Sequence, residues 1–529
     1  MGRPTPTHPH PAGRRLLRGL GAGVLAFAAL VASGLVFNEQ LAPRATGAPS
    51  RALPVQPAQT GIDRELAPLL AANPGKTGVI LLADGLDAYA ARAIAAQKAG
   101  RSLDLQYYIW HDDLTGHLLA REAHAAAERG VRVRILIDDM NAAGLDPGWL
   151  ALDAHPRIEL RLYNPFRNRQ GIARGIELVQ RVFSINHRMH NKAWIADGRV
   201  AIIGGRNIGE EYFAADPEMN FRDLDLLMFG PAVAQASGIF DEFWNSAAAV
   251  PVSALGRETP AGLRDVISGI DDEALQAQAR PYLDRVAASP NVRDYLRQQL
   301  RPVWTDRLQV VSDPPLKWRD DAREGWIVDT LLGQLRSARR KALLISPYFV
   351  PGDTGTAGLT ALAASGVEVG VVTNSLAAND VPAVHAGYAG YRPALLRGGV
   401  HLYEIKVRGS RESAGPLGSS GASLHTKAFV VDDARGFVGS FNLDPRSANL
   451  NTEMGVLFDD PDLAAGVRAE YRRLSAPEAS YQVFTGADGV VRWLDREPPP
   501  RVLDTEPDAS PGRRVLARAL GWLPIESQL

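Results

Sequence analysis

An α/β fold of two tandem α/β/α repeats, packed as a pseudo-dimer with one composite active site, is the architecture the sequence predicts. The segment His190-Asn191-Lys192-Ala193-Trp194-Ile195-Ala196-Asp197 recurs as His425-Thr426-Lys427-Ala428-Phe429-Val430-Val431-Asp432, and both read H-x-K-x-x-x-x-D. Each is followed by a glycine pair or Gly-Ser and then an Asn: Gly204-Gly205-Arg206-Asn207 and Gly439-Ser440-Phe441-Asn442. His190 and His425 are 235 positions apart, as are Asn207 and Asn442, in a chain of 529 residues with only 11 His. In both halves short β-rich runs alternate with helical stretches, the pattern of βαβ units. A period this long marks a duplicated domain, since solenoid repeats are much shorter.

The elements follow in order. Arg14, Arg15 and Arg18 precede Gly19 to Phe37, 19 residues without a charge. That is just long enough to span a bilayer as a helix. Residues 1–38 therefore read as a basic segment and membrane anchor, with a cleaved signal peptide as the rival reading. Residues 39–60 read as a linker rich in Pro, Ala and Thr. Residues 61–245 form the first repeat, in which Gln106 to Trp110 and Gly130 to Ile137 are strands around an Ala-rich helical stretch. Residues 246–305 read as a helical, charged connector broken by Pro251, Pro260, Pro281 and Pro290. Residues 306–475 form the second repeat, with strands at Ser346 to Val350 and Gly366 to Val372. Residues 476–529 begin with a hairpin around Asp488-Gly489 and end in a basic, amphipathic tail, Arg513 to Leu523. Such a tail either lies in a membrane interface or docks on the domain.

The motif carries phosphate chemistry. After His190 the chain reads as a strand to about Ala196, and Asp197-Gly198 before Val200 to Ile203 signals a hairpin. Residues i and i+2 of a strand share a face, so His190 projects with Lys192 and His425 with Lys427. An imidazole beside an ammonium suits attack on a phosphate, one as nucleophile or proton donor and the other as partner of the anionic oxygens. Asp197 and Asp432 have two readings, a direct catalytic role or ordinary turn chemistry. Each His also needs an orienting partner to fix its tautomer. Aligning Arg222-Asp223-Leu224 with Thr452-Glu453-Met454 offers Asp223 and Glu453, with Asp225 competing in the first half. Ser440 has no hydroxyl counterpart, because Gly205 holds that place. Tyr108 and Tyr348 either line the site or belong to the core. His187 and Arg188 would meet a second phosphate or lie in a solvated turn. His385, Tyr388 and Arg392 would contact a head group or pack.

The double motif resembles that of the phospholipase D superfamily. More narrowly, the chain is similar to the bacterial cardiolipin synthases of the C type. The segments that carry this likeness are Leu105 to Gly116, Gly204 to Gly209, Val384 to Tyr388, Gly439 to Ser447 and Leu523 to Leu529. The resemblance implies a two-step phosphatidyl transfer. His190 would form a phosphohistidine, and His425 would protonate the leaving alkoxide and then activate the incoming alcohol. The sequence alone is nearly symmetric and assigns neither role. Lys192, Lys427, Asn207 and Asn442 would hold phosphoryl oxygens, and the family places a His-orienting carboxylate where Asp223 and Glu453 stand. Neither a metal nor another cofactor is expected, since no cluster with metal-ligand spacing stands out. The expected partners are phospholipid substrates and a membrane; a partner protein is left open. The expected location is the inner membrane, with the catalytic domain periplasmic because basic residues before an anchor stay cytoplasmic.

Composition limits the alternatives, which are a hydrolase of the same chemistry releasing phosphatidic acid and a periplasmic nuclease. Formal net charge is −1, from 58 basic and 59 acidic residues. That is no footprint for nonspecific nucleic-acid binding, which draws affinity from excess positive charge. With no Cys, disulfides and thiol catalysis are excluded, which fits an oxidising compartment without proving one.

Overall fold

The structure, a computed structural model, describes residues 47–142, 146–169, 171–181, 186–256, 273–297, 299–319, 323–407, 423–523 and 526–529. The expected anchor, residues 1–38, and the first part of the linker, residues 39–46, lie outside them. Among the described residues no helix is long and apolar enough to cross a membrane.

The first half contributes β1 (Thr77–Leu82), β2 (Ser102–Tyr107), β3 (Arg132–Asp138), β4 (Ile158–Tyr163), β5 (Ala193–Ala196), β6 (Val200–Gly204), β7 (Phe221–Arg222), β8 (Asp225–Phe229), β9 (Ala249–Pro251) and β10 (Val303–Thr305). The second contributes β11 (Leu308–Ser312), β12 (Lys341–Ile345), β13 (Glu368–Asn374), β14 (His401–Ile405), β15 (Ser423–Leu424), β16 (Lys427–Val431), β17 (Arg435–Gly439), β18 (Met454–Asp459), β19 (Ser480–Thr485), β20 (Val491–Asp495) and β21 (Arg501–Leu503).

Two sheets result. Their strand orders are β10-β1-β8-β6-β5-β2-β3-β4-β9 and β11-β18-β17-β16-β12-β13-β14-β19-β20-β21. From β1 to β9 and from β11 to β19 the two orders superimpose strand for strand, so the duplication seen in the motifs extends through both sheets. In each, the middle strands are parallel and joined by helices, and the motif strand runs antiparallel beside them. Parallel strands need such crossovers, and helices then cover the sheet faces.

Three cores follow from this layering. One packs the outer face of the first sheet under helices Gly85–Lys98 and Leu114–Glu128. A second does the same for the outer face of the second sheet. Between them, residues of both inner faces, such as Ile203, Met228, Val438 and Val456, meet Phe240 and Val467 of the helices Ala232–Trp244 and Pro461–Leu474 in one shared core. Burying apolar surface common to both repeats makes the pseudo-dimer one folding unit.

The connector differs from the purely helical stretch expected. β9 and β10 bracket it and both join the first sheet, at opposite edges. Helix Glu273–Ala287 between them packs Tyr282 edge-on against Tyr89, at 5.2 Å. The hairpin at Asp488-Gly489 forms as β19 and β20 and extends the second sheet.

Candidate active site

Both histidines sit just before an inner strand, His190 before β5 and His425 before β16. Each motif lysine folds back on its own histidine, Lys192 Nζ donating to His190 O at 2.6 Å and Lys427 Nζ to His425 O at 2.5 Å. The ammonium groups thus rest on the main chain of the histidines rather than on their rings.

The orienting carboxylates cross between repeats. His190 Nδ1 lies 2.8 Å from Glu453 Oε2, and His425 Nδ1 lies 2.6 Å from Asp223 Oδ2. The backbone makes the same exchange. His190 N donates to Thr452 O at 2.9 Å and His425 N to Arg222 O at 2.8 Å. The parallel pair β7 and β15, with the bridge between Met189 and Thr452, stitches these segments together. Each imidazole thus belongs to a dyad whose two members come from different repeats. With Nδ1 held by a carboxylate, Nε2 is left for chemistry. Asp225, the competitor, is taken by Arg92 at 2.9 Å and Arg206 at 3.3 Å and orients neither histidine.

The dyads are unequal. Ser440 Oγ donates to Glu453 Oε2 at 2.5 Å. At Gly205 a Cβ would come within 2.2 Å of Asp223 Oδ1, so no hydroxyl fits in the other half. Asp223 takes the amide of Leu224 instead, at 2.7 Å.

Burial sets the electrostatics. It pulls both imidazoles well below their ordinary value, and the ammonium groups of Lys192 and Lys427 push the same way. His425 also feels the charge of His190. Burial drags Lys192 down to about 7, against the pull of Glu453. Lys427 falls to about 8 for the same reason, against Asp223. Burial raises Glu453 to about 7 and lifts Asp223 as well, opposed by Lys192 and Lys427 respectively. A phosphodiester entering such a dry site supplies the negative charge the cations lack, and so favours their protonated forms.

Asp197 and Asp432 require a correction. Both have a φ of 55° and start the turns after β5 and β16. Asp197 accepts from the amides of Gly100, Arg101 and Ser102 at 3.0, 2.7 and 3.0 Å. Asp432 accepts from Arg339, Arg340 and Lys341 at 3.1, 2.8 and 3.1 Å. Five residues of extended chain, roughly 16 Å, separate each from its lysine. They pin the loops entering β2 and β12 and do not reach the histidines, so the turn reading replaces the catalytic one.

Other candidates are redistributed. Tyr108 does line the site, edge-on to His190 with centroids 5.1 Å apart and with Lys192 Nζ 5.4 Å from its ring centre. Tyr348 donates to both oxygens of Asp380, at 2.7 and 2.8 Å. Asn207 is engaged in scaffolding, accepting from Ile109 N at 3.2 Å and donating to Tyr212 OH at 2.9 Å. The Asn442 Oδ1 is buried without a partner among the described residues.

Arg188 is fully buried on Asp138 at 3.1 Å, and His187 stacks on Trp318 at 5.2 Å. Neither offers the second phosphate site considered for it. His385, Tyr388 and Arg392 form a buried network with Glu404 and Glu506, which is the packing reading rather than a head-group contact. Two side chains were missed: Tyr212 lies edge-on to His425 at 5.2 Å and Phe221 stacks on it at 5.3 Å. Phe221 lies two residues before Asp223, and that proximity was the available signal.

Among the described residues one group has metal-ligand spacing, His111, Asp113 and Glu211. It lies outside the histidine pair, and Asp113 already caps helix Leu114–Glu128 through Gly116 N at 2.8 Å.

Residues 94–244 and 331–475 match the family described as "Cardiolipin synthase, PLD-like domain". Cardiolipin synthase C of Escherichia coli is 40% identical over 466 residues, which cover 87% of this chain and 98% of that protein. An uncharacterized protein of Helicobacter pylori is 34% identical over 425 residues, covering 78% of this chain and 82% of that one. The crystal structure of phosphatidylserine synthase from Haemophilus influenzae Rd KW20 is similar in fold, with a TM-score of 0.56 at 14% identity over 88% of this chain and 99% of that chain. With the duplicated sheets and the paired His-Lys motifs, these matches establish that the chain belongs to the phospholipase D-like cardiolipin synthase family.

Proposed function

We propose that the protein makes cardiolipin by phosphatidyl transfer through a phosphohistidine. The observation that carries this reading is the crossed pair of His–carboxylate dyads, one buried site built from both repeats. In the first step Nε2 of His190 attacks phosphorus, and the bond from phosphorus to the leaving head-group oxygen breaks. His425 gives that oxygen its proton. In the second step the acceptor hydroxyl passes its proton to His425 and attacks phosphorus, and the phosphorus–nitrogen bond breaks. Lys192 and Lys427, with the Asn442 amide, hold the equatorial oxygens in both steps, which is electrostatic stabilisation by preorganised groups. Glu453 holds the Nδ1 proton of neutral His190 so that Nε2 is free to attack, and Asp223 stabilises the His425 imidazolium, whose Nε2 proton goes to the leaving oxygen and is regained from the acceptor. The choice of His190 as nucleophile rests on family resemblance, because the geometry is nearly symmetric.

Phosphatidylglycerol is the proposed acceptor, and phosphatidylethanolamine the donor favoured by likeness to the C type. Labelled donor with excess phosphatidylglycerol gives labelled cardiolipin on this reading. Phosphatidic acid as main product at every acceptor concentration would make the enzyme a hydrolase. His190→Ala and His425→Ala each abolish transfer, and a donor with a good leaving group partly rescues the variant lacking the acid.

Residues 1–38 are proposed as a single anchor that leaves the catalytic domain periplasmic. Deleting them releases a folded catalyst from the membrane fraction. Protease added outside spheroplasts digests the full-length domain, and full protection there reverses the orientation.

A further inference from the structure

We propose that the end of the molecule where the composite site opens is a bilayer-docking surface. Helix Gly171–Gln180 forms one flank and the Trp522–Leu523 turn the other. The phosphatidyl-transfer reading supplies the identity of the lipid; the surface itself stands on the following observations.

The first flank lies in the connection from the C-terminal end of β4 to His190. Glu177 ties the helix down, accepting from the amides of Arg167 and Asn168, both at 2.8 Å. Arg181 adds a bond to Pro165 O at 2.8 Å. One turn apart on the same helix, Ile172 and Ile176 are 85% and 42% exposed.

The second flank comes from the tail. Helix Pro511–Leu520 does dock, because Arg513 is buried and donates to Leu376 O at 2.7 Å and to Asn379 O. Those carbonyls belong to the loop leaving the C-terminal end of β13. Gly521 then lies against Ala386 in the first turn of helix Pro382–Arg397, and Trp522 and Leu523 project 88% and 53% exposed.

Both apolar pairs therefore lie where the parallel strands end, which is also where His190 and His425 sit. They belong to different repeats and lie at the same end of the two sheets as the histidines. A protein spanning both would close the site. A bilayer would not, because a lipid presents its head group to a buried site while its acyl chains stay in the membrane. Charge agrees with this occupant. Exposed Arg167 and Arg518 stand beside the two flanks, in a chain whose net charge is only −1. Apolar anchors with adjacent cations are the composition of an interfacial lipid contact.

The chain has no Cys, so single probes can be placed without background. Full-length protein carrying an environment-sensitive fluorophore on Ile176→Cys, Trp522→Cys or Glu128→Cys is reconstituted in vesicles of phosphatidylethanolamine and phosphatidylglycerol. Glu128 is exposed and ends helix Leu114–Glu128, away from the opening. Lipids with a nitroxide high on the acyl chain should quench the probes at 176 and 522 and spare the one at 128. A double variant, Ile176→Asp with Trp522→Asp, should lose roughly tenfold in turnover of vesicle lipid yet stay within about twofold on a short-chain, water-soluble donor. Equal quenching at all three positions, or wild-type turnover of vesicles by the double variant, overturns the proposal. So does shielding of 176 and 522 without lipid in a sedimenting dimer, which would make a second copy the occupant. If wild type transfers phosphatidyl groups from neither donor, the functional reading fails, while the quenching pattern still decides the docking surface.

Discussion

Lys192 at about 7 and Lys427 at about 8 leave the empty site short of positive charge in mildly alkaline solution. Glu453, raised to about 7, loses its negative charge on the acid side. The sign in each direction follows. As pH rises through the lysine values, phosphate loses its partners. As pH falls through the glutamic acid value, His190 loses the carboxylate that orients it. The pH profile of kcat/KM, which reports the free enzyme, is therefore expected to be a bell falling on both sides of about pH 7 to 8. Because the groups share one site, its two apparent constants belong to the ensemble and not to single residues. Binding of inorganic phosphate at about pH 8 takes up protons as the lysines recharge, which calorimetry in buffers of different ionisation enthalpy measures. A flat profile with no proton uptake contradicts this electrostatic picture. Asp432 behaves differently. Burial works against its charge, but the amides of Arg340, Lys341 and Arg339 and the nearby Arg435 win and hold it below the ordinary carboxylate range. Its stabilisation is present above about pH 4 and is lost as pH falls through the lowered value. Asp432→Asn should cost about 1–3 kcal/mol at neutral pH, converge with wild type in acid, and leave kcat per folded molecule unchanged. Thermal melts across pH with active-site titration check both halves of that statement, and a selective loss of kcat would restore a catalytic role.

At the scale of elements, periodicity and turn chemistry carried most of the information. The hairpins β5–β6 and β19–β20 were legible because Asp-Gly turns sit between β-rich runs. The positions of Asp223 and Glu453 were legible from alignment of the repeat tails. Which histidine each serves was not, because hydrogen bonds between segments more than 200 positions apart leave no local trace. The burial of Arg188 was hidden for a similar reason: its partner Asp138 comes from a different strand. The amphipathic pattern of residues 513–523 indicated two faces without saying which meets the protein. Arg513, one of the basic residues of that pattern, points inward, which is the docked reading. That clamp predicts a local effect. Arg513→Ala should raise amide exchange in residues 375–381, whose loop it holds, while β12 and β13 stay protected. Unchanged exchange there would show that the loop is held without the tail.

For the whole molecule, coupling should follow the dyads rather than the repeats. His190 and Glu453 act as one unit, so after His190→Ala the further change Glu453→Gln should cost little. Asp223→Asn acts on the other dyad, and its separate effect should persist undiminished after His190→Ala. Because His190→Ala abolishes turnover, double-mutant cycles read on thermal stability test this. Stronger coupling of His190 to Asp223 than to Glu453 would contradict the crossed geometry.

The crossing also has a consequence for how the protein is made. A ribosome completes His190 long before it reaches Glu453, and during that interval the emerging first repeat carries an imidazole with no carboxylate to fix its tautomer. Asp223 is likewise waiting for His425. Neither half-built chain holds a complete dyad. Catalytic competence arrives in a single event, when the second repeat folds onto the first and both exchanges close together. The duplication that doubled the motif thus also delays the chemistry until translation is nearly finished.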